Sequence, residues 1–513
     1  MRVLKKFAVL FMLLTLSVPA IFAGGSAEGS SAQDQVTLKV RFIGPGKQKD
    51  ADMVWEEFNK ELLNYMPGTQ VDIEIVTAAE YADRWKLTLA AGEQLDIAGR
   101  YWMQNLDVEV AKGGFLPLDD LITEYGPNIK KNMPEWVLQK GMTAGHVYEI
   151  PCYQIMVGMR YALYAHKDLA ERYGLDAIAN KIEQKEFMDK EAWDLLENYF
   201  AKTKADGVML KGPSTTLSWL WQKGIDGIGQ GAGFEINTSP VRVFNKYAHP
   251  SYAMMIERMA KWYDMGFIRR DVLAMDDPRV DDGKPDGTTM YVHGMVGTEA
   301  SLDLGTTERW GFPWVVRAVQ RDARVSYAHS ATNLAIPSTA KHPEKAMQFM
   351  DFTQSEAGSD LYNMLTWGLE GTNYNVVREA TDTLPKRIET IGYGGQGNSD
   401  SPYGLWKWAM GNTAFSWVTQ AETDDYIDTW VNINETANPS PLMGFVPNPE
   451  PTRTEEAQIA AVIGEYASTL EYGALGKDYF ATYEDFLAKL KAAGIDKVVA
   501  EYQKQVDAFF AGN

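Results

Sequence analysis

The chain contains a single cysteine, Cys152, among 513 residues, so no disulfide can form within it. Disulfide-dependent exported proteins are short and rich in cysteine, whereas a chain of this length can bury a core that needs no cross-link. Cys152 lies between Pro151 and Tyr153, and no histidine or asparagine motif accompanies it. We therefore interpret Cys152 as a buried thiol and not as a nucleophile.

The motifs of several enzyme classes are also absent. The sequence has no HExxH, no GxSxG and no P-loop, and its six histidines are scattered without metal-ligand spacing. One GxGxxG match starts at Gly392, but the polar stretch 398–402 follows it instead of a helix, which argues against dinucleotide binding. The acidic loop 276–287 fits no EF-hand spacing. The sequence therefore predicts no cofactor and no metal.

Long apolar runs are absent after the N-terminus. There, Arg2, Lys5 and Lys6 precede an apolar run at 7–18, and the small residue Ala23 follows. This is the order of a cleavable export signal, and the run is shorter than the roughly 20 residues of a membrane span. Residues 1–23 are predicted to be a signal peptide, and the small, polar residues 24–35 a flexible tether.

Acidic residues outnumber basic ones, so the formal net charge of the chain is −20. Such a surface repels the phosphates of nucleic acids and anionic lipid head groups. We therefore expect no nucleic-acid partner.

The first hundred residues show alternating strand and helix patterns. Apolar residues alternate with polar ones at 36–42 and 71–75, which predicts two strands. Apolar spacings of three and four predict helices that contain Trp55 and Trp85, and a short buried strand is predicted at 95–98. This β-α-β-α-β order predicts a parallel sheet covered by helices, and hence the α/β class. The C-terminal region is predicted to be richer in helices.

Aromatic residues are abundant, with 15 Trp, 25 Tyr and 20 Phe. Several lie beside turns and polar residues: Tyr101, Trp102, Trp219, Trp221, Trp310, Trp314, Trp367, Trp406 and Trp408. Aromatic faces and carboxylates together suit the C–H face and the hydroxyls of a sugar. For any single aromatic residue, however, packing in the core is the more common role.

Position after a strand singles out three of the candidate residues. Tyr101 and Trp102 follow the strand predicted at 95–98, and Glu299 follows a strand predicted at 291–296. Ligands of open parallel sheets bind at the carboxyl ends of the strands. These three side chains are therefore candidate ligand contacts.

Eight segments follow one another along the chain: LTLAAGEQLDI (87–97), AKGGFLPLDDLITEYGP (111–127), HVYEIPCYQ (146–154), YAHKDLAERYGLD (164–176), KHPEKAMQFMDF (341–352), LTWGLEGTNY (365–374), GFVPNPEPTRTEEAQIAAV (444–462) and LKAAGIDKVVAEYQKQVDAF (490–509). In this order they resemble the extracellular solute-binding proteins of ABC importers, of the family-1 sugar-binding type. More narrowly, they resemble the large lipoprotein-like members that have a distinctive C-terminal domain.

The resemblance implies a two-lobed, type II-like periplasmic-binding-protein fold with a ligand cleft between the lobes. Lobe 1 is expected to comprise 36–157 and about 290–360. Lobe 2 is expected to comprise 158–289 and about 361–513, with its helical C-terminal region. The chain would bind a carbohydrate, and an oligosaccharide above all, and deliver it as a monomer to the permease subunits of an ABC importer.

Two further residues lie in segments that match the family, Tyr153 and Trp367, and both are expected to approach the cleft. With Trp219, they complete the set of predicted ligand contacts: Tyr101, Trp102, Tyr153, Trp219, Glu299 and Trp367. In this set the aromatic rings would stack on the ligand and Glu299 would accept hydrogen bonds from hydroxyls. No catalytic residue is predicted.

Two alternatives remain open at this stage. An exported glycan hydrolase would need two carboxylates facing one cleft at a separation of roughly 5–10 Å. A binding protein for a non-sugar ligand such as a peptide would be supported by a cleft lined with backbone-pairing strand edges and an arginine that binds a carboxylate. Many relatives are anchored through a lipid-modified cysteine, but residues 15–30 contain none. The protein is therefore expected to be periplasmic, with cleavage near Ala23.

Overall fold

The structure, a computed structural model, describes residues 35–104, 106–143, 145–157, 161–205, 212–213, 215–274, 288–294, 298–320, 324–325, 332–392 and 401–512. The predicted signal peptide, all but the last residue of the predicted tether, and the acidic loop 276–287 lie outside the described residues. The same is true of most of the GxGxxG match after Gly392.

Strands and helices alternate through most of the described chain. The strands are β1 (Val36–Ile43), β2 (Thr69–Val76), β3 (Ile97–Tyr101), β4 (Met142–Thr143), β5 (His146–Val147), β6 (Glu149–Pro151), β7 (Tyr161–His166), β8 (Gly212–Pro213), β9 (Ile225–Gly227), β10 (Ala232–Glu235), β11 (Val243–Asn245), β12 (Thr288–Gly294), β13 (Trp314–Ala318), β14 (Arg324–Val325), β15 (Thr332–Ala335), β16 (Tyr374–Arg378), β17 (Arg387–Thr390), β18 (Val418–Thr419) and β19 (Asn438–Pro439). The α-helices are α1 (Ala51–Tyr65), α2 (Ala78–Ala91), α3 (Leu106–Ala111), α4 (Asp119–Tyr125), α5 (Pro127–Asn132), α6 (Glu135–Leu138), α7 (Lys167–Tyr173), α8 (Leu175–Glu183), α9 (Lys190–Ala205), α10 (Pro250–Asp264), α11 (Glu299–Trp310), α12 (Pro343–Thr353), α13 (Ser359–Trp367), α14 (Tyr426–Thr436), α15 (Arg453–Glu471), α16 (Tyr479–Ala492) and α17 (Ile495–Gly512). In this part of the chain, no helix combines the length and the apolar character that crossing a membrane requires.

The N-terminal sheet has the strand order β2-β1-β3-β15-β6. Strands β1, β2 and β3 are parallel, and β15 is antiparallel to both β3 and β6. Alternating side chains of β2 face the core, among them Val71, Ile73 and Ile75, as a half-buried strand requires. The predicted β-α-β-α-β order is confirmed, but β3 begins two residues later than predicted and includes Tyr101.

A second sheet has the order β13-β7-β12-β8, in which β7 is antiparallel to both β12 and β13. One face contributes Leu163 and Met290 to the largest hydrophobic core. The other face presents Tyr164, Tyr291 and Trp314, which form a smaller core with a residue of α11. Neighbouring residues of a strand point to opposite sides of the sheet, so the same strands contribute side chains to both cores.

The three C-terminal helices belong to the second lobe. Phe486 and Leu490 of α16 and Val498 and Tyr502 of α17 are buried in the same core as β7 and α10. The final amphipathic helix predicted from the sequence is therefore present, and its apolar face covers the body of lobe 2.

The lobe boundaries differ from the predicted ones in two places. Strands β12 and β13, predicted for lobe 1, pair with β7 in lobe 2. Conversely, Tyr362 and Trp430 were predicted for lobe 2 but pack in the core of the N-terminal sheet. By their cores and sheets, lobe 1 consists of the described residues within 35–157 and 332–436, and lobe 2 of the described residues within 161–320 and 440–512.

Along the described residues, the chain therefore changes lobe three times: between 157 and 161, at β14, and at β19. Strands β14 and β19 pair in parallel, with Arg324 opposite Asn438 and Val325 opposite Pro439. Two of these three connections are thus hydrogen-bonded to each other, and we call this pair of strands the hinge.

Candidate binding site between the two lobes

The strand ends near the crossings define the edges at which the two lobes face each other. In lobe 1, Tyr101 at the end of β3 pairs with Thr332, where the chain enters from lobe 2. In lobe 2, Gly294 at the end of β12 pairs with Tyr161, the first residue of the lobe. The carboxyl ends of β3 and β12 therefore lie beside the crossings between the lobes, and we call the space between these edges the interlobe cleft. Open α/β sheets bind ligands at the carboxyl ends of their strands.

Three tryptophans lie together at the lobe 1 edge of the cleft. The rings of Trp406 and Trp408 are stacked, with centroids 4.7 Å apart and planes within 18°. Trp102 lies 5.9 Å from Trp408 and is 55% exposed. We call these three residues the tryptophan platform. Such an array offers flat apolar surface to a ligand with C–H faces.

Tyr101 packs beneath the tryptophan platform, in one hydrophobic cluster with Trp406 and Trp408. Its side chain is fully buried, and its hydroxyl donates a hydrogen bond to the carbonyl of Ala409 (3.0 Å) and accepts one from the amide of Ile43 (3.1 Å). A Cβ at Gly99 would lie 2.0 Å from that hydroxyl, so only glycine leaves room for the ring. The predicted role of Tyr101 as a ligand contact conflicts with this burial, because its ring has no surface for a sugar.

Trp219 occupies the corresponding edge of lobe 2. It is half-buried, and its ring centroid lies 6.1 Å from that of His293, the penultimate residue of β12. The imidazole of His293 also meets the ring of Tyr164 edge-on at 6.1 Å. The structure therefore places Trp219 beside the carboxyl end of β12.

Glu299 is the first residue of α11 and lies just after β12, as the sequence predicts. One carboxylate oxygen accepts a hydrogen bond from the amide of Ala318 at 2.7 Å, which ties the start of α11 to the end of β13. Thr298 caps the helix by accepting from the amide of Ser301. The carboxylate of Glu299 therefore has a structural role in joining these two elements.

Tyr153 lies in the main core of lobe 1, and Trp367 lies in a smaller hydrophobic cluster of the same lobe. Tyr153 is 5% exposed, and its ring meets Trp430 edge-on at 5.3 Å; burial raises the pKa of its hydroxyl. Trp367 is buried with Tyr374, and its indole N–H donates to the side-chain oxygen of Asn363 at 3.1 Å. The expected approach of these two rings to the cleft conflicts with their burial.

A buried ion pair stabilises the sheet behind the platform. Arg100, which points away from Tyr101 on β3, forms two hydrogen bonds of 2.7 Å with the carboxylate of Glu149. Among the residues that the structure describes, no group of three or more His, Cys, Asp or Glu side chains is positioned to hold a metal ion.

The structure thus brings Trp102 together with two residues that the sequence marked only as aromatic residues beside turns, Trp406 and Trp408. No periodicity could assign them to the cleft, because they lie about 300 residues from Trp102 in the sequence. The W-x-W spacing in a segment flanked by Gly404 and Gly411 was the available signal.

A family model for bacterial extracellular solute-binding proteins matches residues 48–360. The chain belongs to this family. A second model, a domain of unknown function (DUF3502), matches residues 441–511 of this solute-binding protein. That segment coincides with the C-terminal helices that pack in lobe 2.

Known proteins resemble this solute-binding protein along nearly its whole length. A carbohydrate ABC transporter substrate-binding protein of Streptococcus pneumoniae is 21% identical, and the match covers 98% of each chain. The crystal structure of the N-glycan transport solute binding protein NgtS from Streptococcus pneumoniae is similar with a TM-score of 0.75 at 20% identity, over 92% of this chain and 98% of that one. The S. pneumoniae substrate-binding protein FusA in complex with kestose has a TM-score of 0.58 at 14% identity, over 93% and 100% of the two chains. These structural likenesses show that the fold is that of two-lobed solute-binding proteins.

Proposed function

We propose that this solute-binding protein captures an oligosaccharide in its interlobe cleft and delivers it to the permease of an ABC importer. The main observation that supports this proposal is the tryptophan platform. Three indole rings at the cleft edge, one of them more than half exposed, form a surface that suits successive sugar rings better than a single small solute.

Binding and delivery would be linked through closure of the lobes. The paired strands β14 and β19 form a narrow connection about which the lobes can turn. A ligand that touches Trp102 and Trp408 in lobe 1 and Trp219 in lobe 2 stabilises the closed form over the open one by its differential contacts. The permease would then recognise the closed form.

The names of the relatives support the same ligand class. The pneumococcal relative is a carbohydrate substrate-binding protein, and NgtS has been crystallised in complex with Man1GlcNAc. We propose that the mature chain acts as a monomer in the periplasm and that binding involves no covalent chemistry.

A thermal-shift screen over mono- and oligosaccharides tests the proposal, with Man1GlcNAc and kestose among the probes. A sugar present at 100 times its Kd stabilises the folded state by about 2.7 kcal/mol. The same screen should include peptides and an assay for released reducing sugar. Stabilisation by peptides alone, or turnover of a glycan, would contradict the proposal.

A further inference from the structure

A polar contact joins the lobes away from the hinge. The hydroxyl of Ser301 on α11 of lobe 2 accepts a hydrogen bond from the amide of Thr423 in lobe 1 (3.1 Å) and contacts its hydroxyl (3.0 Å). The side-chain amide of Gln420 donates a hydrogen bond to the carboxylate of Glu308, on the same helix as Ser301, at 2.7 Å. We call these four residues the interlobe seam.

The seam lies one helix length from the hinge. Helix α14 begins just after Thr423 and has 11 residues, which corresponds to about 16 Å. Its far end leads into β19, and Asn434 near that end bonds Met156 (2.8 Å) and Gln154 (2.6 Å), just before the first crossing. All three crossings therefore lie near one end of α14, and the seam lies near the other end. A rotation of the two lobes about the crossings consequently separates the residues of the seam, unless the rotation axis runs along α14.

An ion pair connects the seam to the tryptophan platform. Lys407, which lies between Trp406 and Trp408 in sequence, pairs with Glu422, the neighbour of Thr423. The two side chains are only 8% and 13% exposed. The ammonium also lies 4.7 Å from the ring centroid of Tyr426 at the start of α14. A buried pair of this kind holds its partners in one geometry, because separating the charges leaves both desolvated.

The segment that contains Glu422 is itself rigid. Arg387 donates from its guanidinium to the carbonyls of Thr419 (2.6 Å) and Glu422 (2.9 Å). A second carboxylate oxygen of Glu422 accepts from the amide of Thr419 at 3.2 Å. Thr419 and Glu422 therefore lie in one hydrogen-bonded segment next to Thr423, so a change in the contacts of Thr423 acts directly on the neighbouring Glu422.

We infer that Lys407 and Glu422 are positioning residues that couple the geometry of the tryptophan platform to the interlobe seam. Opening of the seam shifts Glu422, and through Lys407 it changes the arrangement of Trp406 and Trp408. Conversely, a ligand that fixes the two indole rings favours the arrangement in which the seam is made. This inference rests on the proposed function for its ligand, but the coupling itself exists without ligand.

The coupling is measured first in the ligand-free protein. Labelling with 5-fluorotryptophan and assigning Trp406 and Trp408 by single Trp→Phe substitutions gives a ¹⁹F NMR signal for each ring. Ser301→Ala, which removes the hydroxyl that makes both contacts with Thr423, is expected to shift the Trp408 resonance. The same substitution in a Lys407→Met background is expected to leave it in place. No shift in either background, or an equal shift in both, would overturn the inference.

Affinity for Man1GlcNAc and kestose, measured by calorimetry, is the second readout. Lys407→Met and Glu422→Gln are each expected to weaken binding at least fivefold, and Lys407→Arg to stay within twofold of wild type. The matched control is Arg258→Met, which breaks a comparably buried pair with Glu197 in lobe 2, with side chains 11% and 17% exposed. It should lower the melting temperature but change affinity by less than twofold.

Together, the ¹⁹F NMR and the affinity measurements distinguish a failure of this inference from a failure of the proposed function. If wild type binds neither sugar while the ¹⁹F response behaves as described, the ligand class is wrong and the coupling stands. If wild type binds a sugar and Lys407→Met weakens binding no more than Arg258→Met does, the pair has only a structural role and the inference is wrong.

Discussion

The guanidinium of Arg100 in β3 and the carboxylate of Glu149 in β6 meet through two hydrogen bonds of 2.7 Å, although β15 lies between their strands. Both side chains are almost completely buried, at 4% and 0% exposure. The pair thus ties together the two strands that lead into the loops of Trp102 and Tyr153. A buried pair is costly to break, because removing one partner leaves an uncompensated charge.

Glu149→Gln is therefore expected to destabilise lobe 1 by about 3–5 kcal/mol. Urea unfolding followed by circular dichroism measures the loss. The control is Asp72→Asn, which removes an exposed partner of Lys39 and should cost less than about 1 kcal/mol. Equal losses for the two variants would contradict the assigned role of the Arg100–Glu149 pair.

Trp102→Ala is expected to weaken oligosaccharide binding about tenfold, or about 1.4 kcal/mol, because it removes one ring of the platform. The melting temperature should barely change, since the side chain is 55% exposed. Calorimetric titration with the sugar found in the screen provides the measurement. Phe480→Ala, at a residue of lobe 2 that is 59% exposed, is the matched control. Unchanged affinity would remove Trp102 from the site.

Local patterns were sufficient to predict the N-terminal half of lobe 1. The period of two in β2 and the apolar face of α1 depend on neighbours in the sequence, and both elements are present. The short strand β3 was placed two residues too early, because 95–101 is buried almost throughout and shows no alternation that marks its ends. Tyr101 was therefore predicted to lie in the loop after the strand, whereas it is the last residue of β3.

The lobe boundaries and most of the site depend on long-range contacts. Nothing in the sequence of β12 or β13 indicates that they pair with β7, since a buried strand fits any sheet. Likewise, Trp367 and Trp102 both lie beside polar residues and turns, yet only Trp102 is exposed. Burial of an aromatic side chain is decided by what packs over it, and for Trp367 that is Tyr374 and its neighbours.

Stability in acid should depend on Asp424. Hydrogen bonds from Arg378 and Arg387 lower the pKa of this carboxyl group to about 2, below the value of about 3.9 in an unfolded chain. The stabilisation from the ionised group is therefore complete above about pH 4 and is lost as the pH falls towards 2. Melting temperatures of wild type and Asp424→Asn should differ most above pH 4 and converge towards pH 2. A difference that stays constant over that range, or an equal effect of Asp382→Asn at an exposed position, would contradict this.

The segment matched by the domain of unknown function should behave as part of lobe 2 and not as a separate unit. Leu490 of α16 is fully buried in the core that contains β7 and α10. Its neighbour Phe486 stacks on Tyr466 at 5.5 Å, and the hydroxyl of Tyr483 donates to the carbonyl of Tyr247 at 2.9 Å. These contacts extend from the C-terminal helices into residues that precede them by more than two hundred positions.

Leu490→Ala should consequently destabilise the whole lobe by about 2–5 kcal/mol, the usual cost of a cavity at a buried leucine. Leu87→Ala, at a leucine that is 63% exposed, should stay within about 0.5 kcal/mol of wild type. Hydrogen exchange distinguishes the two arrangements of the C-terminal helices. If they share one core with β7, the amides of β7 and α16 lose protection together in Leu490→Ala; loss confined to α15–α17 would mean that these helices unfold as an independent unit.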